Sequence, residues 1–128
     1  MNKKSAQTLS VAQLLIDKRY YTQSVHCSYY AVRQYIQYKL ATTKNNPISY
    51  EEQKVKMNGK DSHEILLDEI RGRIQSPKEC KSFTEEFRAL KSSRVSADYS
   101  QHQFNDEEGC DCKAQAERLI KKIDYYKI

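Results

Sequence analysis

From Tyr20 to Ala41 the chain reads "YYTQSVHCSYYAVRQYIQYKLA", without a glycine or a proline. Within it Tyr21, Val25, Tyr29, Val32, Ile36 and Leu40 recur at steps of three and four, the spacing that lines one face of an α-helix. No segment of the chain shows the alternation of a half-buried strand. The whole sequence has only 3 Gly and 2 Pro in 128 residues, and long helices are the simplest use of so little punctuation.

The other segments read the same way. Residues 6–18 put Val11, Leu14, Leu15 and Lys18 at helical spacing, a short first helix. Residues 43–61 carry Pro47, Gly59 and several Asn, and read as a loop with a short helical piece at 50–55. A loop this long is functional or mobile. Asp61 or Ser62 then caps a helix with the stripe Leu66, Ile70 and Ile74, weakened at Gly72. Ser76-Pro77 is a strong helix start, Ser at the cap and Pro at the first turn. Asn105 with Glu108 three residues on makes a capping box. It opens a last helix over 106–126 with the stripe Cys112, Ala116, Leu119 and Ile123. The sequence therefore predicts one all-α domain over residues 1–128, an up-and-down antiparallel bundle of four to five helices.

Composition narrows the partners. A chain this long buries roughly two-thirds of its unfolded surface and needs no metal or disulfide to fold. Apolar content is a lean 38%, and 10 of the residues counted in it are tyrosines, which points to a thin core or one shared with a second copy. Net charge is +5, concentrated in the first half; this permits contact with nucleic acid or nucleotide phosphates without demanding it. Cys27, Cys80, Cys110 and Cys112 lack metal-ligand spacing, so no metal and no cofactor is expected, and reduced thiols are. The apolar run near the N-terminus is broken by Gln7, Gln13 and Asp17, and no stretch approaches a membrane span, so the expected location is cytoplasmic, away from membranes.

The candidate site is "SSRVSADYSQHQF", Ser92 to Phe104. The helix after Pro77 presents Phe83, Phe87 and Leu90, and the same stripe continues through Arg94 to Asp98. Arg94 thus lies on the line marked as buried, where an arginine is costly unless paired. Asp98, one turn on, can pair with it, and Tyr99 and His102 follow. A bland account is that Arg94 and Asp98 form an ion pair, Tyr99 packs on the bundle and His102 is a polar loop residue. Elsewhere, His26 reads as a packed helix residue, His63 as a first-turn surface residue, and Tyr29 and Tyr30 as core.

"YYTQSVHCSYYAVRQYIQYKL" resembles the second helix of the HEPN family of small helical proteins, and "LKSSRVSADY" resembles that family's late-helix signature. The resemblance covers about Leu9 to Ile123, with "CSYYA" and "RVSADY" the best-matched pieces. It implies a two-fold homodimer with a shared cleft. It also implies RNA cleavage without metal, or nucleotide binding beside a small nucleotidyltransferase partner. By carry-over, Arg94 would hold a phosphate and the transition state, and His102 would be the acid or base. The family's nuclease members place four to six residues between Arg and His; here seven separate Arg94 from His102, and Tyr99 stands where a closer His would fall. The segment matches the Arg-x-x-x-Asp-Tyr branch, for which binding by Arg94, Asp98 and Tyr99 is better supported than catalysis. The expectation is an RNA- or nucleotide-binding protein, toxin-like, with metal-independent endoribonuclease activity as its lesser form. The contrasting expectation is a non-catalytic dimeric interaction module in which Arg94–Asp98 is structural.

Overall fold

A computed structural model describes residues 2–128 as six helices with no strand among them: α1 (Lys3–Asp17), α2 (Tyr21–Thr42), α3 (Tyr50–Met57), α4 (Ser62–Arg71), α5 (Pro77–Tyr99) and α6 (Asp106–Tyr125). The all-α bundle expected from periodicity is present. It has one helix more than the four to five anticipated, because the piece at 50–55 extends into α3. Ser49 caps α3 by accepting from the Glu52 amide at 3.2 Å.

Helix α2 is the spine. It packs against all five other helices and buries Val25, Tyr29, Ala31, Val32, Tyr35, Ile36 and Leu40, so the stripe read from sequence is a strip of a wider buried surface. Around it sit Leu66, Leu67 and Ile70 of α4, Phe83, Phe87 and Leu90 of α5, and Ala116, Leu119, Ile120 and Ile123 of α6. Gly109, in the first turn of α6, marks a close crossing. A Cβ there would stand 3.3 Å from both Ser24 Oγ and Tyr21 Cβ on α2.

Two local expectations are corrected. In α1 the buried residues are Ser5, Leu9, Ala12 and Ile16, whereas Val11 and Leu14 are 44% and 54% exposed. The small Ser5 and Ala12 lie on the side that faces the bundle, and the bulkier pair is left outside. The 43–61 segment is also pinned rather than free. Arg73 donates from Nη1 and Nη2 to the Asn45 and Asn46 carbonyls at 2.6 Å each. The Ile48 amide donates to Leu40 O at 2.7 Å. Gln53, buried, donates from Nε2 to Gln37 O at 3.0 Å and Ile48 O at 2.9 Å.

The caps at Asp61, Ser76 and Asn105 fall where the sequence puts them, with the full capping box at Asn105 and Glu108. Together they set the direction of α4, α5 and α6 and bring the first turn of α4 against the last two turns of α5. Among the described residues no helix is long and apolar enough to cross a membrane, and all four thiols are free.

Candidate functional site

Three helices meet at Arg94. It sits one turn past Leu90 on the buried face of α5 and is only 7% exposed. Its guanidinium carbon lies 5.3 Å from the Tyr29 ring centre and 5.8 Å from that of Tyr30, both on α2. Nη1 donates to Asp98 Oδ2 at 3.3 Å, the pair anticipated from the i,i+4 spacing. Nη2 lies 3.2 Å from His63 Nε2 at the start of α4. Nε is buried and has no partner.

The Arg94–Asp98 pair is only the middle of a longer chain of contacts. Asp98 also holds His26: Nδ1 of that ring is 3.0 Å from Oδ2 and 3.3 Å from Oδ1. The His26 ring stacks on Tyr30, one helical turn on, with centres 4.5 Å apart and planes 27° apart. At the other end, His63 Nδ1 is hydrogen-bonded to the Tyr29 hydroxyl and lies 3.4 Å from Arg33 Nη1. Arg33 in turn packs its guanidinium 5.6 Å from the Tyr30 ring centre.

His63 is therefore not the surface residue its position suggested, and His26 is not packed away. Burial, with Arg33, Arg94 and Lys91 close by, brings the His63 pKa down to about 4, against a weaker upward pull from Asp61. The ring is neutral at pH 7. A guanidinium can only donate, so His63 Nε2 must present its lone pair to Arg94. Nδ1 then carries the hydrogen and gives it to the Tyr29 oxygen. Burial pushes the Tyr29 hydroxyl well above the usual phenol range, so it stays protonated. Its own hydrogen, the Arg33 fork beside Nδ1 and Arg94 Nε–H are then left without acceptors. Of the carboxylates here, Asp98 is already shared by Arg94 and His26, and Asp61 takes the His63 amide at 3.1 Å and pairs with Lys91 at 3.6 Å. The cluster is short of acceptors.

The other two residues singled out from sequence stand apart. Tyr99 is 79% exposed and makes no side-chain hydrogen bond among the described residues. His102 lies in the connection between α5 and α6, where Nε2 is 2.8 Å from Glu108 Oε2 and the ring packs edge-on against Phe104. It touches neither Arg94 nor Asp98. The α6 capping amide of Asn105, followed by His102, holds the Glu108 carboxyl below its ordinary range. His102 is thus engaged at the start of α6.

His26, Tyr30 and Arg33 carry a legible signal, since they are spaced i, i+4 and i+7 on α2 and share one face. That face flanks the apolar stripe. His63 carries no such signal, because only tertiary packing brings the first turn of α4 against Arg94. Beside His26 and Asp98 lies a groove of about 410 Å³, lined also by Leu15, Thr22, Gln23 and Cys27. Compared with known proteins, the chain matches no family model, no curated protein and no solved structure.

Proposed function

We propose that the chain binds RNA or a nucleotide through the face that α2, α4 and α5 form around His63. The observation that carries the reading is the shortage of acceptors there. Arg33, Arg94 and Tyr29 bring donors to a single neutral imidazole, and the buried Arg94 Nε–H has no partner. A phosphate supplies acceptor oxygens and negative charge to Arg33, the member of this set that a ligand can reach, while Tyr29 and the Arg94 Nε–H stay sealed beneath. Arg94 is buried, so its share is to hold Asp98 and His63 and to add positive potential from beneath. Arg33, half-buried, is the group placed to meet a phosphate directly; Lys91, paired with Asp61 at 3.6 Å and Glu64 at 3.9 Å, meets one by exchanging those partners. The overall charge of +5 favours the same class of ligand. Endoribonuclease activity, and assembly as a homodimer or with a nucleotidyltransferase, belong to the same proposal.

The test is fluorescence anisotropy with a short single-stranded RNA. Arg33→Ala and Lys91→Ala should each weaken binding about tenfold and flatten the salt dependence, by about 0.7 in the log–log slope for each phosphate no longer neutralised. Arg118→Ala, on the outer side of α6, should leave both unchanged. Binding that is indifferent to Arg33 and Lys91 removes the site.

A second reading is favoured by one specific observation: Arg94 is sealed under Asp98 and two tyrosine rings. On that reading the pair is structural and the chain is a dimeric interaction module. Arg94→Met separates the two, because it fills the space without the charge. A variant that melts below the parent but, while folded, binds RNA as the parent does supports the structural pair. A folded variant that no longer binds RNA supports the binding site.

A further inference from the structure

The sequence offers no histidine close behind Arg94, but the fold brings one from another helix. We propose that His26, oriented by Asp98, is the general base of a ribonuclease site whose substrate is the ribose 2′-hydroxyl beside a phosphodiester in single-stranded RNA. The proposal rests on the RNA reading above and adds to it a catalytic group.

Four features of the geometry support this assignment. Asp98 faces Nδ1 of His26 with both oxygens, at 3.0 and 3.3 Å, so Nδ1 carries a hydrogen, and in the neutral ring the lone pair lies on Nε2. No protein group is bonded to Nε2 among the described residues, and the side chain is 48% exposed. Second, the Asp98 carboxylate is itself held, by Arg94 Nη1 at 3.3 Å, and Arg94 is fixed by burial. Third, the imidazole plane is set by its stack on Tyr30. Fourth, the groove of about 410 Å³ opens at His26 and Asp98, with Gln23, Thr22 and Cys27 along its wall. Carboxylate, imidazole and open lone pair in this order are what a positioned base requires. Arg33 lies two turns further along the same face of α2, about 10 Å away by helical rise, so one strand can reach both.

In the step proposed, Nε2 of His26 takes the proton from the 2′-hydroxyl. The 2′-oxygen forms a bond to the adjacent phosphorus, and the bond from phosphorus to the 5′-oxygen breaks. The 5′-oxygen takes a proton from water, and the hydroxide left behind is neutralised by the His26 imidazolium. The products are a 2′,3′-cyclic phosphate and a 5′-hydroxyl, and no co-reactant is consumed. His26 is the catalytic residue and Asp98 its positioning residue; His102, bonded to Glu108, has no part.

The experiment uses the full chain and a fluorescein-labelled 20-nucleotide single-stranded RNA, with binding read by anisotropy and cleavage by gel. The parent should cleave and leave cyclic phosphate ends. The 2′-O-methyl version of the same strand should bind and stay intact. His26→Gln, prepared in parallel, should keep the parent's anisotropy and lose turnover by roughly a hundredfold or more. Free imidazole in the buffer should restore part of the activity of His26→Ala, which a purely structural histidine would not allow. Asp98→Asn should lower kcat at least tenfold with little change in KM, because the amide can hold the wrong imidazole tautomer. His102→Ala should cleave as the parent does. A parent that binds RNA without cutting it overturns the base and leaves the binding reading in place. Cleavage by His26→Gln at the parent's rate, or cleavage of the 2′-O-methyl strand, overturns the base in the same way. A parent that does not bind RNA overturns both.

Discussion

His63 gives the sharpest test at the scale of single residues. Its folded pKa of about 4 lies below the 6.5 of a free imidazole. As pH falls below 6.5 the unfolded chain takes up a proton that the folded chain refuses until about 4, so stability is lost across that window as pH falls. Thermal melts of the parent from pH 7 to 4.5 should therefore fall more steeply than those of His63→Gln, whose side chain does not titrate. A bound phosphate favours the imidazolium, so saturating RNA should shrink the difference between the two. Equal slopes without ligand would mean that His63 is solvated. Arg94 could be foreseen from sequence because it prolongs the spacing of Phe83, Phe87 and Leu90 by one more turn. His63 could not, and of His26 only its face on α2 could, since their partners Arg94 and Asp98 lie 31 and 72 residues away in the chain. Local pattern carries information about a residue's own face and none about what is brought opposite it.

Helix ends carry the next level of information. Every start marked by Ser, Asp or Asn in the sequence from residue 61 onward became a cap, because a side-chain oxygen meeting a free amide is a local event. The end of α1 had no such mark. There the Tyr20 amide bonds to Leu15 O at 2.7 Å and the Arg19 amide to Ile16 O at 2.9 Å, with Arg19 at φ 67° in the left-handed region. This is the Schellman turn, at a position where glycine is the usual residue. Arg19→Gly should raise stability by up to about 1 kcal/mol, a few degrees in Tm, since it relieves the Cβ crowding of that conformation. A drop in Tm would show that the arginine side chain outweighs the backbone. Helix α3 was foreseen only as a fragment, since eight residues with one buried side chain hold too little periodicity to read. The buried face of α1 was misread for the opposite reason: Val11 and Leu14 form a plausible stripe, but the close approach to its neighbours favours Ser5 and Ala12.

For the molecule as a whole, half of the exposed large apolar side chains among the described residues fall on α1 and near the end of α5, namely Val11, Leu14, Val95 and Tyr99; the others are Tyr20, Tyr50, Val55 and Tyr125. With the lean apolar content, the first four lead us to expect a dimer at micromolar concentration. Light scattering should return about twice 15.0 kDa, and Leu14→Glu together with Tyr99→Glu should return the protomer mass. A mass of 15.0 kDa for the parent across that range removes the dimer. The bundle as a class was readable at this scale, because five amphipathic segments with few breakers have few other ways to hide their faces. Its internal wiring was not. The central position of α2 bears on how the chain reaches its native state. Its packing against α1 forms across a three-residue turn, but its packing against α6 joins segments with 63 residues between them. Closing a loop of that size costs about 4 kcal/mol in chain entropy. The early hairpin can thus gather quickly while its far side stays wet. During synthesis α2 therefore leaves the ribosome with much of its apolar surface uncovered, and the strip that α6 covers stays so until the chain as far as Tyr125 has emerged.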